Sequence, residues 1–162
     1  MALRVVVMGV SGSGKSTIGR ALAEKLGLPF VEGDSLHPAA NVKLMAAGTP
    51  LTDADRYGWL QAVAAELAAA RQHGMVVSCS ALKYSYRELL RAGAPDLRLV
   101  HLVGEPSLLA RRMHARTGHY MPPSLLQSQL DTLEAPTAAE GAITVDVETP
   151  VPDIVSRVQA AL

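Results

Sequence analysis

Gly9-Val10-Ser11-Gly12-Ser13-Gly14-Lys15-Ser16-Thr17 sets three glycines, three serines and one lysine between the apolar run Val5-Val6-Val7-Met8 and the segment Ile18-Gly19-Arg20-Ala21-Leu22. A stretch of this kind buries little apolar surface and gives a helix a poor start, yet it lies at the edge of a core. Residues 9 to 16 fit G-x-x-x-x-G-K-[ST] at every fixed position. Glycines let the backbone curl so that several N–H groups converge on one anion. The helix that follows adds about half a positive charge at its N-terminus. Lys15 then reaches the β- and γ-phosphates, and the Ser16 hydroxyl can ligate Mg²⁺. A plain glycine-rich turn is the bland alternative, and the strand before and helix after argue against it. Gly9, Ser11, Gly12, Ser13, Gly14, Lys15, Ser16 and Thr17 are therefore read as a cradle for a nucleoside triphosphate, with ATP as the expected cofactor.

Outward from this loop the chain alternates. Leu3 to Met8 reads as a short buried strand. Ile18, Leu22 and Leu26 recur every four residues in a helix from Lys15 to Leu26, and Gly27 stops it. Leu28 to Val31 is a second strand, and a helix opens at His37-Pro38 and runs through Met45. Asp53 caps a long helix carrying Leu60, Val63 and Leu67. Met75 to Cys79, Leu97 to Val103 and Ile143 to Val147 are further strands. Helices are expected from Tyr84 to Arg91, Pro106 to Arg116, Pro122 to Leu133 and Pro152 to Leu162. Strands alternating with helices predict an α/β fold with a parallel sheet covered on both faces.

The chain has 162 residues, of which 49% are apolar and 19% charged, enough for one domain with a real core. No repeat or linker divides it, so residues 1–162 are read as a single domain. Lysine plus arginine balances aspartate plus glutamate at 15 each, which argues against a general polyanion surface and against nucleic acid as partner. Cys79 is the one cysteine, so an internal disulfide and a cysteine metal cluster are excluded. No apolar run approaches the roughly 20 residues of a membrane span. The start is too soon glycine-rich for a signal peptide, so no membrane role is expected and the cytoplasm is the default location.

In open parallel sheets ligands sit at the carboxyl ends of the strands. Asp34, just past the second strand, can orient an attacking hydroxyl or take its proton, if it is not a turn cap. Glu32 can hold a Mg²⁺-bound water or stand solvated. Arg56 is a candidate clamp for a planar anion, or an exposed partner of Asp53. Trp59 reads as core. After the third strand, Lys83 and Arg87 are four apart and share a face if the helix has started there, which suits an acidic substrate or is simply a solvated basic face. Cys79 reads as a buried structural thiol. Arg112 and Arg116, again four apart and followed by Thr117-Gly118-His119-Tyr120, look like a lid over the nucleotide, one stacking on adenine and one meeting phosphate, with a basic surface helix as the alternative.

Taken together these segments resemble gluconate kinases, small P-loop kinases related to the shikimate and nucleotide kinases. The resemblance runs in order over most of the chain. It rests on Gly9 to Ser16; Gly33-Asp34-x-Leu36-His37-Pro38; and Asn41 with Lys43, Met45, Gly48, Pro50 and Leu51. It continues through Asp53-x-Asp55-Arg56-x-x-Trp59-Leu60; Cys79-Ser80-Ala81-Leu82-Lys83-x-x-Tyr86-Arg87; Arg112-x-x-x-Arg116-x-x-His119; and Gln129 through Leu133-Glu134-x-Pro136. The His-Pro and Ser-Ala-Leu-Lys segments are its most specific parts. It implies ATP-dependent phosphorylation of D-gluconate at the 6-hydroxyl and a five-stranded sheet of order 2-3-1-4-5. It also implies a lid near 112–122 and a homodimer.

The site expected on this reading has Lys15, Asp34 and Arg116 in catalysis, and Arg112, Arg116 and Pro150 beside the loop on the nucleotide. Asp34, His37, Arg56, Lys83, Arg87 and His119 hold gluconate, and Ser16, with Glu32 through water, holds Mg²⁺. Glu32 stands where aspartate is expected and Tyr120 where phenylalanine is usual. Two rivals stay open: a kinase of another hydroxy acid such as shikimate, and a nucleotide-dependent switch without a small acceptor. ADP release with and without gluconate separates the switch from a gluconate kinase.

Overall fold

The computed structural model describes residues 2–115, 122 and 124–162. In chain order the elements are β1 (Arg4–Met8), α1 (Lys15–Leu26), β2 (Phe30–Glu32), a 3₁₀ turn (Gly33–Leu36), α2 (Ala39–Ala46), α3 (Asp53–Ala69), β3 (Met75–Ser78), α4 (Tyr84–Gly93), β4 (Arg98–Val103), α5 (Pro106–Ala115), α6 (Leu125–Thr132), a second 3₁₀ turn (Ala138–Glu140), β5 (Ile143–Asp146) and α7 (Val151–Ala161). The strands form a parallel sheet in the order β2-β3-β1-β4-β5, as the resemblance implies. β1 sits at its centre, with Val6 beside Val77 on one flank and Leu99 on the other. Every residue of β1 is buried. That suits a valine run, whose branched side chains pack both faces of a pleat. The parallel register brings all the strand ends that follow Met8, Glu32, Ser78, Val103 and Asp146 to one edge.

The opposite edge is locked by a buried charge. Arg4 is 3% exposed, pairs with Asp96 and donates to the Leu67 oxygen at 3.0 Å and the Gly93 oxygen at 3.3 Å. Those carbonyls belong to the last turns of α3 and α4, where a cation is favoured. On one face Trp59, Leu60, Val63 and Leu67 of α3 pack with Tyr86 and Leu90 of α4 in the core.

Two local expectations are corrected. The second strand starts at Phe30, not Leu28, because Leu28 is used to close α1. Its N–H bonds the Ala23 oxygen at 2.9 Å, and Gly27 bonds Glu24 at 3.2 Å in a left-handed turn. Asp53 is not the cap of α3. Thr52 accepts from the Asp55 N–H at 3.1 Å, and the Asp55 carboxylate accepts from the Thr52 N–H at 2.9 Å, a reciprocal capping box. Asp53 is thereby released for other contacts.

Candidate active site

The phosphate loop joins β1 to α1. Gly12 has φ 80°, and a Cβ there would stand 2.7 Å from the Leu109 oxygen, so only glycine lets the loop lie against α5. Gly14, at φ 90°, leads into α1 with no side-chain cap and no acidic residue in the first turn. The first N–H groups of α1 are thus left for an external anion. The Ser13 hydroxyl is buried without a hydrogen-bond partner among the described residues, a polar group suited to a ligand in the loop. Lys15 Nζ donates to the Val10 oxygen at 3.1 Å. Behind the loop, Gln129 of α6 accepts from the Ser11 N–H at 2.7 Å and from its hydroxyl at 3.0 Å.

A cavity of about 580 Å³ opens over this loop. Ser11 to Ile18 form its floor, with Asp34 at one side. Arg112 and Ala115 of α5 and the segment from Val147 to Val151, Pro150 included, form the far wall. Arg112 Nη2 donates to the Val147 oxygen at 2.9 Å, tying α5 to the end of β5. Arg116, His119 and the rest of the expected lid beyond Ala115 fall outside the described residues, apart from Pro122.

A second, smaller cavity of about 20 Å³ shares Ser11, Lys15 and Asp34 with the first, and His37, Arg56 and Ser80 line it too. Asp34 is carried there by the turn after β2. A Cβ at Gly33 would stand 2.0 Å from the Ser78 oxygen, so glycine alone lets this turn pack on the end of β3. Trp59 Nε1 donates to the Gly33 oxygen at 2.8 Å, and the His37 ring stacks on Trp59 with centroids 4.0 Å apart and planes at 16°. Burial pushes the His37 pKa down to about 4; Arg56 pushes the same way and Asp34 opposes. Arg56 Nη1 donates to the Tyr86 hydroxyl at 2.8 Å, and Tyr86 in turn donates to Asp53. Lys83 Nζ reaches the same carboxylate at 3.0 Å. Hydrogen bonds from Tyr86 and then Lys83 hold the Asp53 pKa below its ordinary value.

The sequence pairs Lys83 with Arg87 on one helix face, and the structure separates them. Lys83 precedes α4 as its N-cap residue. Arg87 is wholly buried: Nε and Nη2 donate to Glu140, and Nη1 donates to the oxygens of Ala81 and Leu82. Its expected contact with gluconate is corrected, because no edge of the guanidinium remains for a ligand. It instead holds the Ser80–Lys83 loop, in which Ala81 has φ 46°, a left-handed value that is costly for a residue with a Cβ. Glu32 is not on the wall of either cavity; it accepts from the Ser78 hydroxyl at 2.6 Å and lies 3.8 Å from Arg20. Cys79 is fully buried, as read, and burial pushes its thiol up to about 12. The roles of Gln129 and Tyr86 were not read from the sequence, nor was the burial of Asn41 on α2. Their one local sign is a polar group that falls on the buried face of a helix.

Residues 5–136 match a family model described as an AAA domain. The chain is 50% identical to the gluconokinase of Gluconobacter oxydans, across 93% of this chain and 85% of that protein. It is 43% identical to the thermoresistant gluconokinase of Escherichia coli, across 93% and 88%. Its fold superposes on the crystal structure of a gluconokinase from Sinorhizobium meliloti 1021 with a TM-score of 0.89 at 54% identity, across 98% and 90% of the two chains. Among the described residues no helix is long and apolar enough to cross a membrane.

Proposed function

The chain belongs to the gluconokinase family of P-loop kinases, and we propose that it transfers the γ-phosphoryl group of ATP to the 6-hydroxyl of D-gluconate, giving 6-phospho-D-gluconate and ADP. The observation that carries this reading is the shared wall of the two cavities, made by Ser11, Lys15 and Asp34. A nucleotide in the larger cavity and a hydroxy acid held by residues around the smaller one, which as it stands has room for about one water, meet at that wall.

Asp34 orients the 6-hydroxyl and takes its proton as the new oxygen–phosphorus bond forms and the bond to the ADP oxygen breaks. Lys15 and the loop N–H groups stabilise the charge that develops on the transferring group. Arg112 holds the nucleotide side, and Arg116 is assigned to the same phosphates. Arg56 binds the gluconate carboxylate, because a guanidinium fork matches a planar anion, and Lys83, whose ammonium sits on Asp53, is assigned to the same carboxylate. His37 and His119 are assigned to its hydroxyls. Mg²⁺ takes hard oxygen donors: the Ser16 hydroxyl on the cavity floor would hold it, and Glu32, which lies off the cavity wall, would act only through water. Bound there, the ion would supply positive charge to the phosphates. The same reading takes the cytoplasm as the setting and a homodimer as the assembly.

Coupled detection of ADP with gluconate, other sugar acids and shikimate tests the proposal, with the product identified by phosphorus NMR. Release that depends on gluconate and yields the 6-phosphate is expected. Release independent of any acceptor, or a preference for shikimate, refutes it.

A further inference from the structure

Asn41 lies on α2, 4% exposed, and both of its amide hydrogens have a destination. Its Nδ2 donates to the Asp55 main-chain oxygen at 2.8 Å and stands 3.2 Å from His37 Nδ1. A carbonyl oxygen only accepts, so the amide nitrogen, not the amide oxygen, must face Asp55. That orientation aims the second N–H at His37. Nδ1 must then be the ring nitrogen without a proton, and a neutral imidazole of that kind carries its proton on Nε2. An imidazolium would set an N–H against the N–H of Asn41, so Asn41 disfavours the charged ring as burial does. The stack on Trp59 fixes the ring plane, and Trp59 is itself fixed on Gly33. Nε2 is the remaining polar atom, and His37 lies on the wall of the smaller cavity near Asp34 and Arg56.

We propose that Asn41 is a positioning residue that fixes His37 as a neutral Nε2–H donor, and that this N–H donates to a hydroxyl oxygen of the acceptor while Asp34 accepts from the reacting hydroxyl. The inference rests on the reading of the smaller cavity as the gluconate site. It gives that site one fixed donor beside one fixed acceptor, a pattern that a polyol satisfies. A substrate lacking the hydroxyl leaves a partly buried N–H unpaired, which is a strong basis for rejection.

The ring tautomer is read without any ligand from the long-range ¹⁵N–¹H spectrum of histidine-labelled protein at pH 7, with His37 identified by its loss in His37→Gln. A protonated Nε2 and bare Nδ1 are expected. A proton on Nδ1, or an imidazolium, overturns the proposal, and this holds whether or not gluconate proves to be the acceptor. Asn41→Leu should then raise the gluconate KM about tenfold, the scale of one lost hydrogen bond, with kcat and the ATP KM held within about twofold. In the His37→Gln background the glutamine amide donates without help from Asn41, so Asn41→Leu should leave that KM unchanged. An equal rise in both backgrounds makes Asn41 merely structural and overturns its positioning role. Failure of the wild-type enzyme to use gluconate refutes the substrate reading instead, and the ligand-free spectrum still decides the tautomer.

Discussion

Replacing Arg87 with methionine keeps a long side chain in the core and removes one half of a pair whose side chains are 0% and 3% exposed. Removing one partner of a buried ion pair costs about 3–5 kcal/mol, because the other charge is left without compensation. Glu140 keeps Arg91 and the Thr137 N–H at 2.7 Å, which favours the lower end of that range. The Leu82 oxygen keeps a bond from Glu134 N at 2.7 Å, whereas the Ala81 oxygen loses its 2.8 Å bond to Arg87, at a cost of about 1–3 kcal/mol. A total near 4 kcal/mol lowers Tm by roughly 8–16 °C in a domain of this size.

The pair also sets an acid limit. Burial pushes the Glu140 carboxyl up, but hydrogen bonds from Arg87, the Thr137 N–H and Arg91 outweigh it and hold the pKa at about 2, against an ordinary 4.5. A carboxyl depressed in the folded state stabilises fully above its unfolded pKa. That stability is lost as pH falls from about 4.5 toward 2. Thermal melts from pH 7 to 2.5, run beside gluconate kinetics, test both points. Arg87→Met with Glu140→Met should recover most of the lost Tm at neutral pH and flatten the acid limb. A Tm for Arg87→Met within about 3 °C of wild type, together with a large rise in gluconate KM, would refute this account and return Arg87 to the substrate.

Lys15→Ala removes the one side-chain cation of the phosphate loop and should lower turnover on the order of 10²–10³-fold, as loss of a transition-state donor does; steady-state kinetics with near-normal kcat would remove the phosphate assignment. Asp34→Asn should cut kcat by roughly 10²-fold or more, whereas Arg56→Ala should act mainly through gluconate KM, a split that kinetics at saturating ATP resolves. If Asp34→Asn instead raised KM and spared kcat, the base would lie elsewhere. Gly33→Ala drives a Cβ to 2.0 Å from the Ser78 oxygen, so it should cost about 2 kcal/mol or more in a denaturation curve; an unchanged midpoint would mean that the turn carrying Asp34 yields freely.

The order of the strands came from the family resemblance alone, whereas the alternation of strands with helices, the phosphate loop and the placing of Asp34 at a strand end were legible in the residues themselves. Each is set within a few residues: a valine run too apolar for an edge, glycines where the chain must turn left-handed, a carboxylate just past a strand. Alternation with helices then leaves a parallel sheet, whose strand ends share one edge. The fate of individual charged side chains was not legible at that range. Arg56 and Arg87 look alike in sequence, each the fourth residue of a helix. Only tertiary packing turns Arg56 to Tyr86 and the smaller cavity, and turns Arg87 inward to Glu140, 53 residues away. The same holds for Gln129, which braces Ser11 from 118 residues along the chain, and for Lys83 on Asp53. A backbone conformation is selected by its neighbours in sequence. A buried charge or amide is selected by whatever partner the completed core brings against it, because without one it would stand unpaired in a medium that penalises it.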